Sequence, residues 1–250
     1  MPTHAPDTIR QLAVIQEVTT AICLIQEGLI SLNRLSGAND FAHLPVLLLA
    51  DGFERLLKMI WCLDYLHRQG KFPDHRAYNE HCEHHKVAEL LDQVTNIARQ
   101  WDYSEQSEAA RIDTEFLEND GDLRQIVELL EKYADGGRYY NINVIVGSRG
   151  SPDDDPICLF DWYCTDVLSR LPEWQDRTTR NNLGQRTEQD TRYVNQQITV
   201  LLQRFARALC RMFTPGRLGQ PAQQMTGIIG TFLRLRDSDL GNISAGWFDT

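Results

Sequence analysis

The sequence predicts a mostly α-helical protein, a helical bundle with additional C-terminal helices and at most one short strand or hairpin. Three observations support this fold class. Apolar residues recur every three or four positions along most of the chain, which is the spacing of one helix face. Glycine, proline and asparagine separate these periodic stretches. Only residues 141–146 alternate as a strand does.

The first half of the chain predicts three long helices. The first covers about residues 7–35 and ends before a Ser-Gly-Ala-Asn segment. The second runs from Pro45, which suits a first helical turn, to about residue 68. The third spans about residues 74–101, with Asp74 as its N-terminal cap. Together with the later helix at 122–134 they supply the predicted core, namely Leu56, Leu57, Ile60, Leu90, Leu91, Val94, Leu129 and Leu130.

The middle of the chain has weaker signals. An acidic stretch after Trp101 has few apolar anchors, so we expect a loosely packed helix or a surface excursion there. Residues 122–134 again show helical spacing. Residues 141–146, Asn-Ile-Asn-Val-Ile-Val, fit either a short strand or an apolar turn of helix. Residues 147–156 form the clearest loop.

The second half predicts three more helices, at about residues 157–170, 190–213 and 221–236. The loop at 147–156 is the best place for a domain boundary. We therefore predict a helical bundle over residues 1–146 and a C-terminal helical part over 147–250 packed on it; one continuous domain is the alternative.

The composition limits the classes to which this protein can belong. The chain has 250 residues, 42% of them apolar and 24% charged, which is typical of a folded globular protein and excludes disordered and collagen-like classes. The longest apolar run, residues 44–50, is far shorter than the ~20 residues a membrane span needs, so we expect no membrane contact. The six scattered cysteines contain no CxxC pair. They predict buried, reduced thiols without disulfide partners, in a cytoplasmic protein.

The charges are unevenly distributed. The net charge of −10 argues against a broad nucleic-acid surface. Residues 101–135 hold eleven acidic side chains, whereas residues 170–217 hold nine arginines. Within the second region Arg204, Arg207 and Arg211 line one helix face, which we call the arginine stripe; it is a candidate ligand or phosphate site. Pairing with the acidic region, or solvent exposure, is the simpler interpretation.

The densest group of chemically active side chains is Glu80-His81-Cys82-Glu83-His84-His85. On a continuous helix His81 and His85 share a face and could hold one metal ion, although the sequence offers no third ligand. A solvated polar face is the simpler interpretation. The Gly-rich segment at 147–151 lacks the lysine of a phosphate-binding P-loop, and no nucleophile motif is present. We expect no cofactor.

Two stretches carry a resemblance to a known family. They are Phe53-Glu54-Arg55-Leu56-Leu57-Lys58 and, about one helix later, His85-Lys86-Val87-Ala88-Glu89-Leu90-Leu91. Together with Arg138-Tyr139-Tyr140-Asn141, they resemble HEPN-like helical proteins of the abortive-infection type over about residues 45–145. The resemblance implies a helical bundle that is frequently a homodimer, with a role in stress or phage defence.

The active branches of that family are metal-independent ribonucleases that use an arginine followed within four to six residues by a histidine. Here Arg138 is followed by Asn143 where the histidine would stand, and asparagine cannot transfer a proton near neutral pH. We therefore expect a binding or interaction protein without the family's nuclease site. One alternative is a ribonuclease with a displaced site in which Arg138, His85 and His81 converge, acting on RNA or a nucleotide. Another is a metal-dependent bundle enzyme that uses His81 and His85.

Overall fold

The structure, a computed structural model, describes residues 7–36, 41–82, 85–148, 155–181 and 186–243. These residues form α-helices and short 3₁₀ turns and contain no β-strand element, which confirms the all-α fold class. The helices are α1 (Asp7–Asn33), α2 (His43–Gln69), α3 (His75–Cys82), α4 (Val87–Gln100), α5 (Glu108–Asn119), α6 (Gly121–Ala134), α7 (Tyr140–Ile145), α8 (Pro156–Ser169), α9 (Pro172–Asn181), α10 (Glu188–Arg211), α11 (Gly219–Gln223) and α12 (Gly230–Leu233).

Helices α1 and α2 form the closest helix pair. They run antiparallel, since Gly28 lies against Leu49 while Gly52 lies against Ile25. A Cβ atom on Gly52 would approach Cγ1 of Ile25 to 2.8 Å, so the glycine lets the two backbones come together. By length and composition alone α1 could cross a membrane: an 18-residue window within it has a mean hydropathy of 1.4, and 44% of that window is buried inside the protein. Its apolar residues are interrupted by polar ones, so no long apolar run marks this helix in the sequence.

The predicted core is confirmed. All eight residues named from helical spacing are buried, none exposing more than 6% of its surface: Leu56, Leu57, Ile60, Leu90, Leu91, Val94, Leu129 and Leu130. They belong to one hydrophobic cluster that also includes residues of α8 and α10.

The predicted third helix is broken in two. Asp74 caps α3 as expected, its Oδ1 accepting a hydrogen bond from the backbone N–H of Ala77 at 2.9 Å. However, α3 ends at Cys82 and α4 begins at Val87. The prediction of one helix over residues 74–101 was therefore wrong. The sequence shows no sign of the break because the polar segment between α3 and α4 contains no glycine or proline.

The acidic stretch after Trp101 folds into a well-packed helix, α5. Its Phe116, Leu117 and Asp113 are buried. The Asp113 carboxylate accepts two hydrogen bonds from Arg211 of α10, at 3.0 and 3.1 Å. The buried apolar side chains and this long-range ion pair both join α5 to the rest of the protein, so the expectation of a loose helix or surface excursion was wrong.

Helix α10 joins the two halves of the chain. The ring of Phe205 stacks on Phe53 of α2, with centroids 4.6 Å apart. Nδ2 of Asn33 at the end of α1 donates to Oγ1 of Thr199 at 2.7 Å. Both predicted parts, 1–146 and 147–250, therefore share a core; the boundary itself stays a prediction, and residues 149–154 of its loop lie outside the described residues.

Two further segments differ from expectation. Residues 140–145 are helical, which settles the alternative between strand and helix. The predicted helix at 221–236 is replaced by the short helices α11 and α12 joined by turns. Gly219, Gly227 and Gly230 lower the helix propensity of that segment.

All six cysteines carry free thiols. Four of them are buried as expected, namely Cys62, Cys82, Cys164 and Cys210. Cys23 is exposed on α1 and Cys158 is half-buried on α8, so the expectation of burial was wrong for these two. Both lie in helical patterns but on faces turned away from the core.

Candidate functional site

The two stretches that carry the family resemblance meet in the structure. Glu54 of α2 is buried, with 6% of its surface exposed. His85 lies just before α4, and its Nδ1 is 3.0 Å from each carboxylate oxygen of Glu54. Because an ionised carboxylate only accepts hydrogen bonds, the imidazole proton of this pair sits on Nδ1.

Lys58 completes this cluster one helical turn beyond Glu54. Its Nζ donates to Oε1 of Glu54 at 2.6 Å and lies 5.8 Å from the ring centroid of Tyr78 on α3. Burial disfavours the ammonium ion, but the hydrogen bond and the negative charge of Glu54 more than offset it, so the pKa of Lys58 lies above its ordinary value. We call Glu54, Lys58 and His85 the Glu54 cluster. Within it, the negative charge of Glu54 is offset by the positive charge of Lys58.

The Glu54 cluster contains the side chains that general acid–base catalysis uses, namely an imidazole and a carboxylate in contact with it. A carboxylate bound to Nδ1 fixes the orientation and tautomer of an imidazole, leaving Nε2 to exchange a proton with a bound molecule. The His85 side chain is 41% exposed, so it can be reached from solvent. Sequence reasoning named His85 but missed Glu54 and Lys58, although both lie in the stretch it quoted, because a helical Glu–Lys pair four residues apart usually faces solvent.

Two thiols neighbour this cluster without activating it. Cys62 of α2 and Cys82 of α3 are both buried. Burial raises the pKa of each thiol to about 12, so both stay protonated near neutral pH. Since the thiolate is the nucleophilic form, neither cysteine has the environment of a catalytic nucleophile.

The proposed metal pair does not share a helix face. The ring of His81 packs on Trp61 of α2, with centroids 5.2 Å apart, while His85 lies beyond the end of α3 and contacts Glu54. The prediction that His81 and His85 share one helix face was wrong because the helix ends at Cys82. Across the described residues, which leave out Glu83 and His84, no group of three or more metal-ligating side chains occurs.

The sequence also puts forward Arg138, Asn143 and His85 as candidate catalytic residues; the first two lie in or next to α7, whereas His85 lies just before α4. Arg138 is exposed in the 3₁₀ turn before α7, with its guanidinium 5.2 Å from the ring centroid of Tyr139. Asn143 lies within α7, and its carbonyl accepts from the backbone N–H of Ser148 at 2.9 Å. Among the described residues no hydrogen bond joins these side chains to His85, so a joint catalytic role for the three stays a prediction.

Each member of the arginine stripe faces a carboxylate. The pairs are Arg204 with Asp120 at 4.0 Å, Arg207 with Asp237 at 2.7 Å and Arg211 with Asp113 at 3.0 Å. Two of these partners come from the acidic region, as the simpler interpretation expected. Phosphate binding by the stripe stays a prediction, and a phosphate would have to displace these carboxylates.

Among the described residues, segment 139–146, which contains α7, holds five large apolar side chains that stay exposed. Ile142, Val144, Ile145 and Val146 expose 57%, 43%, 82% and 67% of their surfaces, and the adjoining Tyr139 exposes 52%. We call these five residues the α7 patch. Single exposed apolar residues are ordinary, whereas a contiguous group of this kind marks an interaction surface. Sequence reasoning missed it because apolar residues in a helix usually face the core.

An open groove lies next to the base of α7, between α6 and α8. Its volume is about 300 Å³, and it is lined by Leu129 and Lys132 of α6 and by Leu159 and Trp162 of α8. Trp162 exposes 55% of its surface. We call this feature the Trp162 groove. Its size is at the lower end for small-molecule pockets and accommodates a few aliphatic side chains.

Comparison with known proteins finds no match: no family model, no curated protein and no solved structure matches this chain.

Proposed function

We propose that this chain is a cytoplasmic, all-helical interaction protein of the HEPN-like type, which binds another protein through the α7 patch. The observation that carries this proposal is the exposure of four aliphatic side chains in and just after α7, namely Ile142, Val144, Ile145 and Val146. A role in stress or phage defence belongs to the same proposal and rests on the family resemblance.

The physical reason is the cost of leaving these side chains in water. Fully burying a valine or isoleucine side chain stabilises a protein or a complex by about 1.5–3 kcal/mol. The exposed fractions of Ile142, Val144, Ile145 and Val146 together equal about two and a half whole side chains. A partner that covers them would gain about 4–7 kcal/mol from this source, which is a large share of a typical binding free energy.

The HEPN-like part of the proposal is supported by the meeting of its two quoted stretches at Glu54 and His85. It is also supported by the all-α class of the described residues. Asn143 in place of the family's histidine remains the reason to prefer a binding role over a nuclease role.

A site-specific photocrosslinker tests the interaction surface. A benzophenone amino acid in place of Ile145 should give protein–protein adducts in cells, because this residue is the most exposed member of the patch. The same group in place of Glu105, an exposed residue in a polar turn, is the matched control. Equal adduct yields at the two positions would overturn the proposal.

A second candidate function is acid–base cleavage of RNA, and the contact between Glu54 and His85 favours it. If the chain cleaves RNA in this way, His85→Ala should abolish cleavage of a mixed RNA substrate and Glu54→Gln should weaken it, because the imidazole loses its orienting carboxylate. His75→Ala, which changes an exposed histidine of α3, should leave cleavage unchanged. Cleavage that survives in His85→Ala would remove this candidate.

A further inference from the structure

We propose that the Trp162 groove binds a free amino acid with an apolar side chain, whose ammonium and carboxylate groups pair with Glu128 and Lys132. This site takes a small molecule rather than a protein, so it does not depend on the proposed interaction function. An ordered pair of free charges, an apolar wall and an unpartnered hydroxyl lead to this inference.

The groove runs between two antiparallel helices. Arg170, just after α8, is paired with Asp122 at the start of α6 at 2.7 Å. Gly137, just after α6, lies against Pro156 at the start of α8. Four residues of each helix line the groove, and in both helices the later ones follow the first by three, four and seven positions, so they share one face. The lining side chains therefore have a fixed order along the groove.

The charged side chains differ in sign along this order. Because the helices are antiparallel, Lys132 of α6 lies towards one end of the groove and Asp166 of α8 towards the other. Glu128 precedes Lys132 by one helical turn, about 6 Å along the axis. Asp166 is already paired with Arg170 at 2.7 Å.

Glu128 and Lys132 are both free to bind a ligand. A glutamate four residues before a lysine is the favoured order for an ion pair within a helix. Nevertheless, neither side chain forms an ion pair or hydrogen bond with any residue that the structure describes. The groove thus presents one unpaired negative and one unpaired positive charge, which match the ammonium and carboxylate groups that an amino acid carries on a single carbon atom.

The rest of the groove offers an apolar surface and one hydroxyl. Trp162 exposes 55% of its surface, and together with Leu129 and Leu159 it provides a wall for an aliphatic or aromatic side chain. Tyr163 lines the same groove and exposes only 4% of its surface, yet its hydroxyl makes no hydrogen bond to the described part of the chain. Burial raises the pKa of Tyr163, so this hydroxyl stays protonated and can donate to a carboxylate.

The size and charge of the groove favour this class of ligand over others. A volume of about 300 Å³ is at the lower end for small-molecule sites and fits one amino acid better than a nucleotide. A purely cationic ligand would meet the charge of Lys132, and a purely anionic ligand would meet that of Glu128. A zwitterion satisfies both signs at once.

Isothermal titration calorimetry of the full chain with L-phenylalanine tests this site. 2-Phenylethylamine, which lacks the carboxylate, and 3-phenylpropionate, which lacks the ammonium, are the matched ligands. We expect L-phenylalanine to bind at least about tenfold more tightly than either, because each analogue loses one charge-assisted contact. No binding of L-phenylalanine or L-leucine at about 10 mM, or equal binding of L-phenylalanine and an analogue, would overturn the proposal.

Two charge variants identify the contacts. Glu128→Gln should weaken binding of L-phenylalanine about tenfold but not that of 3-phenylpropionate, and Lys132→Gln should weaken L-phenylalanine but not 2-phenylethylamine. Both residues are exposed, so neither change disturbs the core. Glu105→Gln, which removes the same charge from an exposed position in the turn before α5, is the control and should bind as the wild type does. The same loss for every ligand in both variants would contradict the assigned contacts.

The indole N–H signal of Trp162 in a ¹⁵N–¹H correlation spectrum reports where the ligand binds. It is identified as the signal that is missing from the spectrum of Trp162→Phe. Addition of L-phenylalanine should shift this signal, whereas those of the buried Trp61 and Trp101 should stay in place. If L-phenylalanine bound without shifting the Trp162 signal, the site would lie elsewhere and the proposal would fail.

Discussion

Replacing Gly52 with alanine should force α1 and α2 apart. An added Cβ would lie 2.8 Å from Cγ1 of Ile25 and 3.0 Å from the backbone nitrogen of the same residue. The side-chain carbon can rotate away, but the backbone nitrogen moves only if α1 shifts. Because α1 and α2 are both long and well buried, such a shift disturbs contacts along the whole pair.

The magnitude follows from two opposing effects. Inserting a methyl group into a packed core costs about 1–3 kcal/mol, and the contact with backbone places Gly52→Ala in the upper part of that range. Alanine gains about 1 kcal/mol over glycine in helix propensity. The free energy of unfolding should therefore fall by about 1–2 kcal/mol, which corresponds to a drop of roughly 2–8 °C in Tm for a chain of this size.

Urea denaturation followed by circular dichroism measures this change, with Gly121→Ala as the matched control. Gly121 begins α6, and a Cβ there would meet no atom within 4 Å. The control should be neutral or more stable by up to about 1 kcal/mol. If Gly52→Ala were as stable as the wild type, the close approach of the two helices would not be real.

Three further predictions concern the core, a buried acid and the thiols. Leu57 is fully buried, so Leu57→Ala should cost about 2–5 kcal/mol of unfolding free energy, whereas Leu44→Ala at a half-exposed position of the same helix should change it by less than about 0.5 kcal/mol; equal losses in urea denaturation would contradict the packing. Burial raises the pKa of Asp64 above its ordinary value, so the folded protein keeps this proton to a higher pH than the unfolded chain does. Its contribution to stability therefore falls as the pH rises above 3.8, and the stability of Asp64→Asn relative to wild type should increase between pH 4 and pH 7, which paired denaturation curves would check. Cys23 is exposed while burial raises the pKa of Cys62 to about 12, so a maleimide should label Cys23 in the native protein and Cys62 only after unfolding; peptide mass mapping that found equal native labelling would refute this assignment.

The parts of the fold that follow from local pattern were predictable. Helices α1, α2, α6 and α10 each carry a continuous apolar stripe, and their bounds fall within a few residues of those expected. The core residues could be named for the same reason. Helical periodicity reports which residues share a face, and in a long helix that face is the one that packs.

The parts that depend on distant residues were not predictable. From its sequence, α5 looks like an acidic helix on the surface. Its Asp113 is nevertheless paired with Arg211, which lies 98 residues away. No residue near Cys82 in the sequence marks the end of α3. The contact that follows this break, between His85 and Glu54, is visible only in the structure. The uneven charge distribution predicts that the acidic region pairs with the arginine stripe, but neither spacing nor composition shows which residues of two distant elements meet.

The candidate site shows the same division. His85 was named because histidines are conspicuous, whereas Glu54 and Lys58 look like an ordinary surface pair in the sequence. The α7 patch was seen as an apolar segment, but its exposure depends on what the rest of the chain leaves uncovered. Local sequence therefore indicates which side chains can act, while the tertiary arrangement decides which of them are accessible.

The position of α10 has a consequence for how the protein is made. The hydrogen bond between Asn33 and Thr199 joins residues 166 positions apart. At a synthesis rate of about 5–20 residues per second, roughly 10–30 s pass between the appearance of the two residues on the ribosome. During that interval Phe53 has no Phe205 to stack on, although α4 and α6, which also pack on α2, have already been made. A chain interrupted before α10 therefore lacks the helix that joins its two halves, and Phe53 is left without its stacking partner.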